Sequence, residues 1–200
     1  MTESTKPPLL FLVGPPAVGK LTVGTAIAER TGLRLLHNHL TIDLVLRYFE
    51  FGTAPFWRLV NEFRQRILDE VAASELPGLI FTYCWAFNEP QEDVNVERYA
   101  APFRSRGNRV LFAELQATQE ERLRRNETPF RLAEKPFKRD LVKSRGHLLD
   151  IDTKYQLNSG GRFDGRADYL RFDNTDLSPE AAAERVIAHF HLPTVVERAP

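Results

Sequence analysis

Residues 9–31, LLFLVGPPAVGKLTVGTAIAERT, decide how the rest of this 200-residue chain is read. Leu9 to Val13 make an apolar run of strand length. Gly14, Pro15 and Pro16 break it, and after Gly19 and Lys20 the apolar residues return at helical spacing. The connection between strand and helix reads G-x-x-x-x-G-K, from Gly14 to Lys20. Glycine reaches backbone conformations closed to other residues, so loop N–H groups can turn inward as an anion nest. The helix that follows adds unpaired N–H groups and a positive dipole end of about half a charge. Lys20 then has the reach to meet the β- and γ-phosphates of a nucleotide.

The bare string arises by accident in about one chain of this length in ten to twenty. Its position between an apolar strand and an amphipathic helix separates it from an ordinary glycine turn. One feature departs from the pattern: the residue after the lysine is Leu21, where a Ser or Thr hydroxyl would bind Mg²⁺ directly, and Thr22 follows.

Composition sets the frame. Hydrophobic residues make up 42% of the chain, and 27 basic residues balance 27 acidic ones, as in an ordinary α/β domain. One domain spanning 1–200 is expected. A net charge of zero supplies no global field for nucleic acid or a membrane, so neither is an expected partner. Cys84 is the single cysteine, which excludes an internal disulfide, and its apolar surroundings read as those of a buried, inert thiol. The opening MTESTKPP has no basic or apolar leader pattern and no run approaches a membrane span, so a cytoplasmic location is expected.

Leu33 to Leu36 form a short second strand ending in His37-Asn38-His39, and Thr41 reads as the cap of a helix burying Leu44, Val45, Tyr48 and Phe49. Ligands bind at the carboxyl ends of strands in open α/β sheets, which places His37, Asn38, His39 and Asp43 to meet a substrate. A capping role for the histidines is the alternative; two of them alone fall short of a zinc set. Asp43 is the preferred general base, since a carboxylate can accept a hydroxyl proton. Residues 55–74 predict a long helix with an apolar stripe of Trp57, Val60, Phe63, Ile67, Leu68 and Val71, leaving Arg58, Arg64 and Arg66 off it. Residues 78–84 read as a buried strand, at whose end an aspartate would be expected. Trp85, Phe87 and Asn88 stand there instead, so metal anchoring falls to Asp43, Glu89, Asp93 or water. A helix over 90–106, a strand over 108–115 and a polar helix capped by Thr118 follow. The segment from Glu127 to Gly161 is basic, with Arg131, Lys135, Lys138, Arg139, Lys143 and Arg145, and suits a lid hinged at Ser159-Gly160-Gly161. A last strand, Tyr169 to Phe172, runs through Asn174 and Thr175 into a helix capped by Ser178, with Pro179 at its first position.

The loop with Thr22 resembles the G-K-x-T form of adenylate kinases and related small kinases. The strand followed by T-x-E-E-R-L-x-R, from Thr118 to Arg125, is similar to the lid entry of gluconate, shikimate and nucleotide kinases. The resemblance implies a three-layer P-loop NTPase fold with a parallel five-stranded sheet in the order 2-3-1-4-5 and a helical basic lid at about 127–161. It also implies ATP and Mg²⁺, with Gly14, Pro15, Ala17, Val18, Gly19, Lys20, Leu21 and Thr22 around the phosphates and Thr22 at the α-phosphate. The ion would be held by nucleotide oxygens, water and an outer carboxylate. Arg122 would lie against adenine, Arg125 near the phosphates, and Asn174 and Thr175 beside the base. Arg58 or Arg64 would meet an anionic acceptor.

The activity implied is transfer of the γ-phosphate of ATP to a small acceptor: a sugar acid, a nucleoside or nucleotide, or a similar alcohol. Lys20, Asp43 and Arg125 would carry it, in a monomer or homodimer. Leu21 and the lack of an acid after the third strand leave open a nucleotide-binding regulatory module that hydrolyses slowly. A polynucleotide end kinase is a third reading, opposed by the zero net charge.

Overall fold

The structure is a computed structural model and describes residues 6–127 and 141–195. Five strands, β1 (Leu9–Val13), β2 (Arg34–Leu36), β3 (Leu79–Tyr83), β4 (Val110–Gln116) and β5 (Tyr169–Asp173), form one parallel sheet in the order β2-β3-β1-β4-β5. This is the order expected. Leu9 is in register with Leu79 on one side and Val110 on the other, so the strand that feeds the glycine loop is central.

Alternation along β1 divides the core into two layers. Leu9, Phe11 and Val13 face a layer closed by helices α3 (Ala54–Ala73) and α4 (Pro90–Ser105), through Leu68, Val96, Tyr99 and Phe103. Leu10 and Leu12 face the other, closed by α1 (Lys20–Thr31) and the last helix, α7 (Pro179–Phe190), through Val23, Ile27, Val186 and Phe190. A file of rings crosses the first layer, with Phe11 stacked on Phe112 at 5.0 Å and Phe112 on Tyr169 at 5.9 Å. The caps read from the sequence are present: Thr118 Oγ1 accepts from Glu121 N at 3.2 Å at the start of α5 (Gln119–Asn126), and Ser178 Oγ from Ala181 N at 3.1 Å. The basic segment returns to the core through α6 (Leu141–Lys154).

Three local expectations are corrected. Helix α2 (His39–Val45) begins two residues before Thr41 and ends before Tyr48 and Phe49, which are exposed. Thr41 Oγ1 donates to Asn38 O at 3.3 Å and accepts from Arg64 Nε at 3.1 Å, so a tertiary contact, not a cap, fixes it. On α3 the buried positions are Phe56, Val60, Arg64, Leu68, Val71 and Ala72. Trp57, Phe63 and Ile67 stay partly exposed because the inward stripe is drawn one residue round by Arg64, which is only 3% exposed. Ser159, expected in a hinge, is buried, with its N–H donating to Glu114 Oε1 at 2.9 Å. Arg131, Lys135, Lys138 and Arg139 lie outside the described residues, as does the side chain of Lys143.

Candidate active site

The central position of β1 puts its loop at the crevice where the chain departs to β2 and β3 on one side and to β4 and β5 on the other. Gly14 adopts φ 135°, and a Cβ built there would lie 2.5 Å from Leu115 O, so only glycine lets the loop leave the sheet this way. Ala17 takes φ 64° and Gly19 φ 107°. Left-handed backbone at a residue other than glycine costs about 1–3 kcal/mol and is found where a loop shape serves a ligand. Lys20 Nζ donates to Gly14 O at 2.6 Å and Pro15 O at 2.8 Å, and lies 3.4 Å from Cys84 Sγ. Thr22 Oγ1 donates to Gly19 O at 2.9 Å.

A cleft of about 2120 Å³ opens above the loop. Ala17, Gly19, Lys20, Leu21 and Thr22 line it, while Val18 is buried behind them. Toward β4 and β5 the wall holds Arg125, Asn174 and Thr175. Arg125 donates through Nη1 to Val18 O at 2.8 Å and through Nη2 to Asn174 O at 2.8 Å and Thr175 O at 2.9 Å. It therefore splices the Gly14–Lys20 loop to the turn before α7. Arg122 lies behind this wall: its guanidinium pairs with Asp152 of α6, 3.0 Å from Nη1 to Oδ1, and reaches Pro16 O at 3.4 Å. Asp152 escapes sequence reasoning because its partner lies 30 residues away.

Toward β2 and β3 the wall holds His37, Asn38, His39, Asp43 and Arg64. His39 Nδ1 and Asp43 Oδ1 face each other at 3.3 Å, one helical turn apart. Arg64 donates through Nη2 to Asn38 Oδ1 and through Nε to Thr41, so a buried guanidinium on α3 sets the corner between β2 and α2. Arg58 is exposed and does not line the cleft. Further along, Tyr83 Oη donates to Glu92 Oε2 at 2.5 Å. Burial, and then the Glu92 carboxylate, push the Tyr83 hydroxyl well above the usual phenol range.

Cys84 corrects the sequence reading. It is partly exposed on the cleft wall beside Lys20, at the strand end where an acid was expected. Of the carboxylates weighed as outer ligands, Asp43 and Glu89 line the cleft, whereas Asp93 faces away, bonded to Trp85 Nε1 at 2.9 Å and Arg162 Nη2 at 2.8 Å. Among the described residues no group of three or more His, Cys, Asp or Glu is arranged to hold a metal ion. Asp43, Glu89 and the Thr22 hydroxyl are an all-oxygen set, which fits Mg²⁺ carried mainly by phosphate and water.

Glu114 is fully buried within β4 and takes no part in the cleft. It accepts from Tyr169 Oη at 2.7 Å, Ser159 N at 2.9 Å and Asn158 Nδ2 at 2.9 Å, which ties the chain after α6 to the sheet.

The same architecture occurs in solved structures. The chain superposes on the Mycobacterium tuberculosis APS kinase CysC in complex with AMPPNP and APS with a TM-score of 0.60 at 14% identity, covering 93% of this chain and 98% of that one. The fold is that of the P-loop small-molecule kinases. A gluconokinase from Sinorhizobium meliloti shares this kinase fold at a TM-score of 0.53 and 12% identity, over 94% of this chain and 93% of its own. The Deinococcus radiodurans tunicamycin resistance protein shares it at 0.54 and 15%, over 94% and 99%. No protein-family model matches the chain, and no curated protein sequence does. Among the described residues no helix is long and apolar enough to cross a membrane.

Proposed function

We propose that the protein is an ATP-dependent phosphotransferase acting on a small alcohol. One observation carries this reading: the loop with Lys20 and the His39–Asp43 pair line one continuous cleft on either side of the central strand. A nucleotide held by the loop amides and Lys20 would present its γ-phosphate toward Asp43. The acceptor oxygen attacks the γ-phosphorus, the bond to the β–γ bridging oxygen breaks, ADP leaves, and the acceptor's proton passes to the Asp43 carboxylate. His39 fixes the orientation of that carboxylate, and Arg64 holds Asn38 against the acceptor. Arg125 keeps the phosphate loop and the base-side turn in one rigid piece, so the phosphates meet a preorganised site. Bound Mg²⁺ would neutralise the transferring phosphate, with Asp43 or Glu89 holding its water. The basic segment 127–161 would serve as the lid that excludes water from the transfer.

The test is ADP release from Mg-ATP with pooled hydroxyl-bearing metabolites, run beside Lys20→Ala. Acceleration by a pool in the wild type alone establishes the transferase. A second reading, a regulatory module that binds nucleotide without transfer, is favoured by Cys84 standing beside Lys20 where an acid was expected. Nucleotide binding with no pool accelerating release would support it.

A further inference from the structure

Between the N-terminal halves of α3 and α4 the cleft has a groove with a chemistry of its own. α3 leads into the amino end of β3 and α4 into that of β4, and both pack on the same core layer, so both run against the strands and begin at the cleft. Trp57 and Asn61, one turn apart on α3, line one side, and Glu92 and Asn95 of α4 line the other. Tyr83, the last residue of β3, joins the two sides: its ring centre is 5.9 Å from Arg64 Cζ of α3, and its hydroxyl donates to Glu92 Oε2 at 2.5 Å. Fully buried Tyr99 closes the inner end, donating to Asn61 Oδ1 at 2.9 Å. The groove opens beside the proposed base, because Arg64 also donates to Asn38, the neighbour of His39, which faces Asp43.

Two tyrosine protons are thus spent on fixing two side chains of the cleft wall, and what those side chains have left defines a ligand. Glu92 accepts from Tyr83 on Oε2 and from Asn95 Nδ2 on Oε1, the latter at 3.3 Å. A carboxylate takes about four hydrogen bonds, so one acceptor position on each oxygen remains. Asn61 gives its carbonyl to Tyr99, and its amide protons meet no described residue. A ligand matching both side chains brings two donors for Glu92 and an oxygen for Asn61. Two neighbouring hydroxyls do this, whereas an ammonium brings donors only and the edge of an amide or imide brings one N–H. Trp57, 38% exposed and braced at 5.0 Å by the fully buried ring of Phe56, adds an apolar face beside these groups.

We propose that this groove holds the acceptor by a vicinal diol: both hydroxyls donate to Glu92, one of their oxygens accepts from Asn61 Nδ2, and the carbon face that bears them rests on Trp57. A third hydroxyl of the same molecule is the one that reaches Asp43. This rests on the phosphotransferase reading for the transfer but not for the binding. A sugar ring and the ribose of a nucleoside both carry such a diol.

Two matched pairs test it, each keeping the primary alcohol and losing the diol: glucose with tetrahydropyran-2-methanol, and uridine with 2′,3′-dideoxyuridine. Trp57 is the reporter, since the other of the chain's 2 tryptophans, Trp85, is buried against Phe87 and Phe163. With Mg-AMPPNP saturating the nucleotide site, tryptophan emission of the full chain is titrated with each compound, and ADP release from Mg-ATP is followed alongside. In at least one pair the diol is expected to bind with a Kd at least about tenfold below that of its partner, and which pair responds tells a sugar from a nucleoside. The signal should survive Trp85→Phe and disappear in Trp57→Phe. Glu92→Gln and Asn61→Asp, each close in size to the residue it replaces, should remove the preference, with retained Mg-AMPPNP binding by calorimetry showing that they fold. No preference in either pair overturns the proposal, and so does a preference that both variants keep. A preference lost in the variants but never accompanied by ADP release leaves the diol site standing and removes the transferase reading instead.

Discussion

The ammonium of Lys20 lies 3.4 Å from the thiol sulfur of Cys84, so the loop lysine and the end of β3 share one contact on the cleft wall. A nucleotide that draws Lys20 to its phosphates covers the same spot. Alkylation of Cys84 by N-ethylmaleimide, followed by mass spectrometry, is therefore expected to slow at least about tenfold in saturating Mg-ATP. Lys20→Ala should abolish that protection. Labelling at an unchanged rate in the presence of bound ATP would mean that the phosphates sit elsewhere.

Gly14 turns the chain out of the sheet with no room for a side chain. In Gly14→Ala the methyl would fall 2.5 Å from Leu115 O while the backbone stays at φ 135°. The unfavourable backbone alone costs about 1–3 kcal/mol, and relieving the clash moves β1 against β4. Thermal unfolding at lower temperature, together with at least about tenfold weaker ATP binding by calorimetry, is the expected pair of results.

Arg64 sets the corner that carries Asn38. Arg64→Ala leaves Asn38 and Thr41 without their buried donor, a loss of about 2–3 kcal/mol for hydrogen bonds from a charged group. Urea unfolding should show that loss, and turnover should fall further than stability alone explains. If Arg64→Lys restores stability but not turnover, the planar fork and not the charge is what positions Asn38.

Glu121 on α5 is held down to about 2 from 4.5, first by its hydrogen bond from Arg124 and then by Arg125. A carboxylate whose value is lowered on folding stabilises the protein above its unfolded value and loses that contribution as pH falls through the folded one. The stability gap between wild type and Glu121→Gln is thus expected in full above about pH 4.5 and to close toward pH 2. A gap that ignores pH over this window would assign Glu121 to packing.

The middle of the sheet was legible because β1, β3 and β4 are largely apolar runs, and that signal is local. The glycine loop between β1 and α1 was legible for the same reason: Gly14 and Lys20 are six residues apart. What escaped is what depends on partners distant in sequence. Arg64 reads as a surface charge until Asn38 and Thr41 are seen beneath it, and Cys84 reads as core until β3 is found to end beside Lys20. Arg122 shows in the sequence only as a residue of α5, and its partner Asp152 comes to it from α6. Glu114, an acid inside the strand VLFAEL, went unread, and its bonds to Ser159 and Tyr169 explain why an apolar sheet tolerates it.

Glu114 has a further consequence for how such a chain diversifies. The backbone leaves the core through α5, where Arg125 fastens it, and comes back at Asn158 and Ser159, where Glu114 fastens it again. Between these two points α6 is held as well, Asp152 by Arg122 and Ser144 by Asn126. An exchange of this stretch with that of another protein would have to keep an acid opposite Arg122 and the pairing of β4 with β5. A chimaera joined at these two fastenings would take the loop of residues 14–20 from one parent and the stretch after α5 from the other.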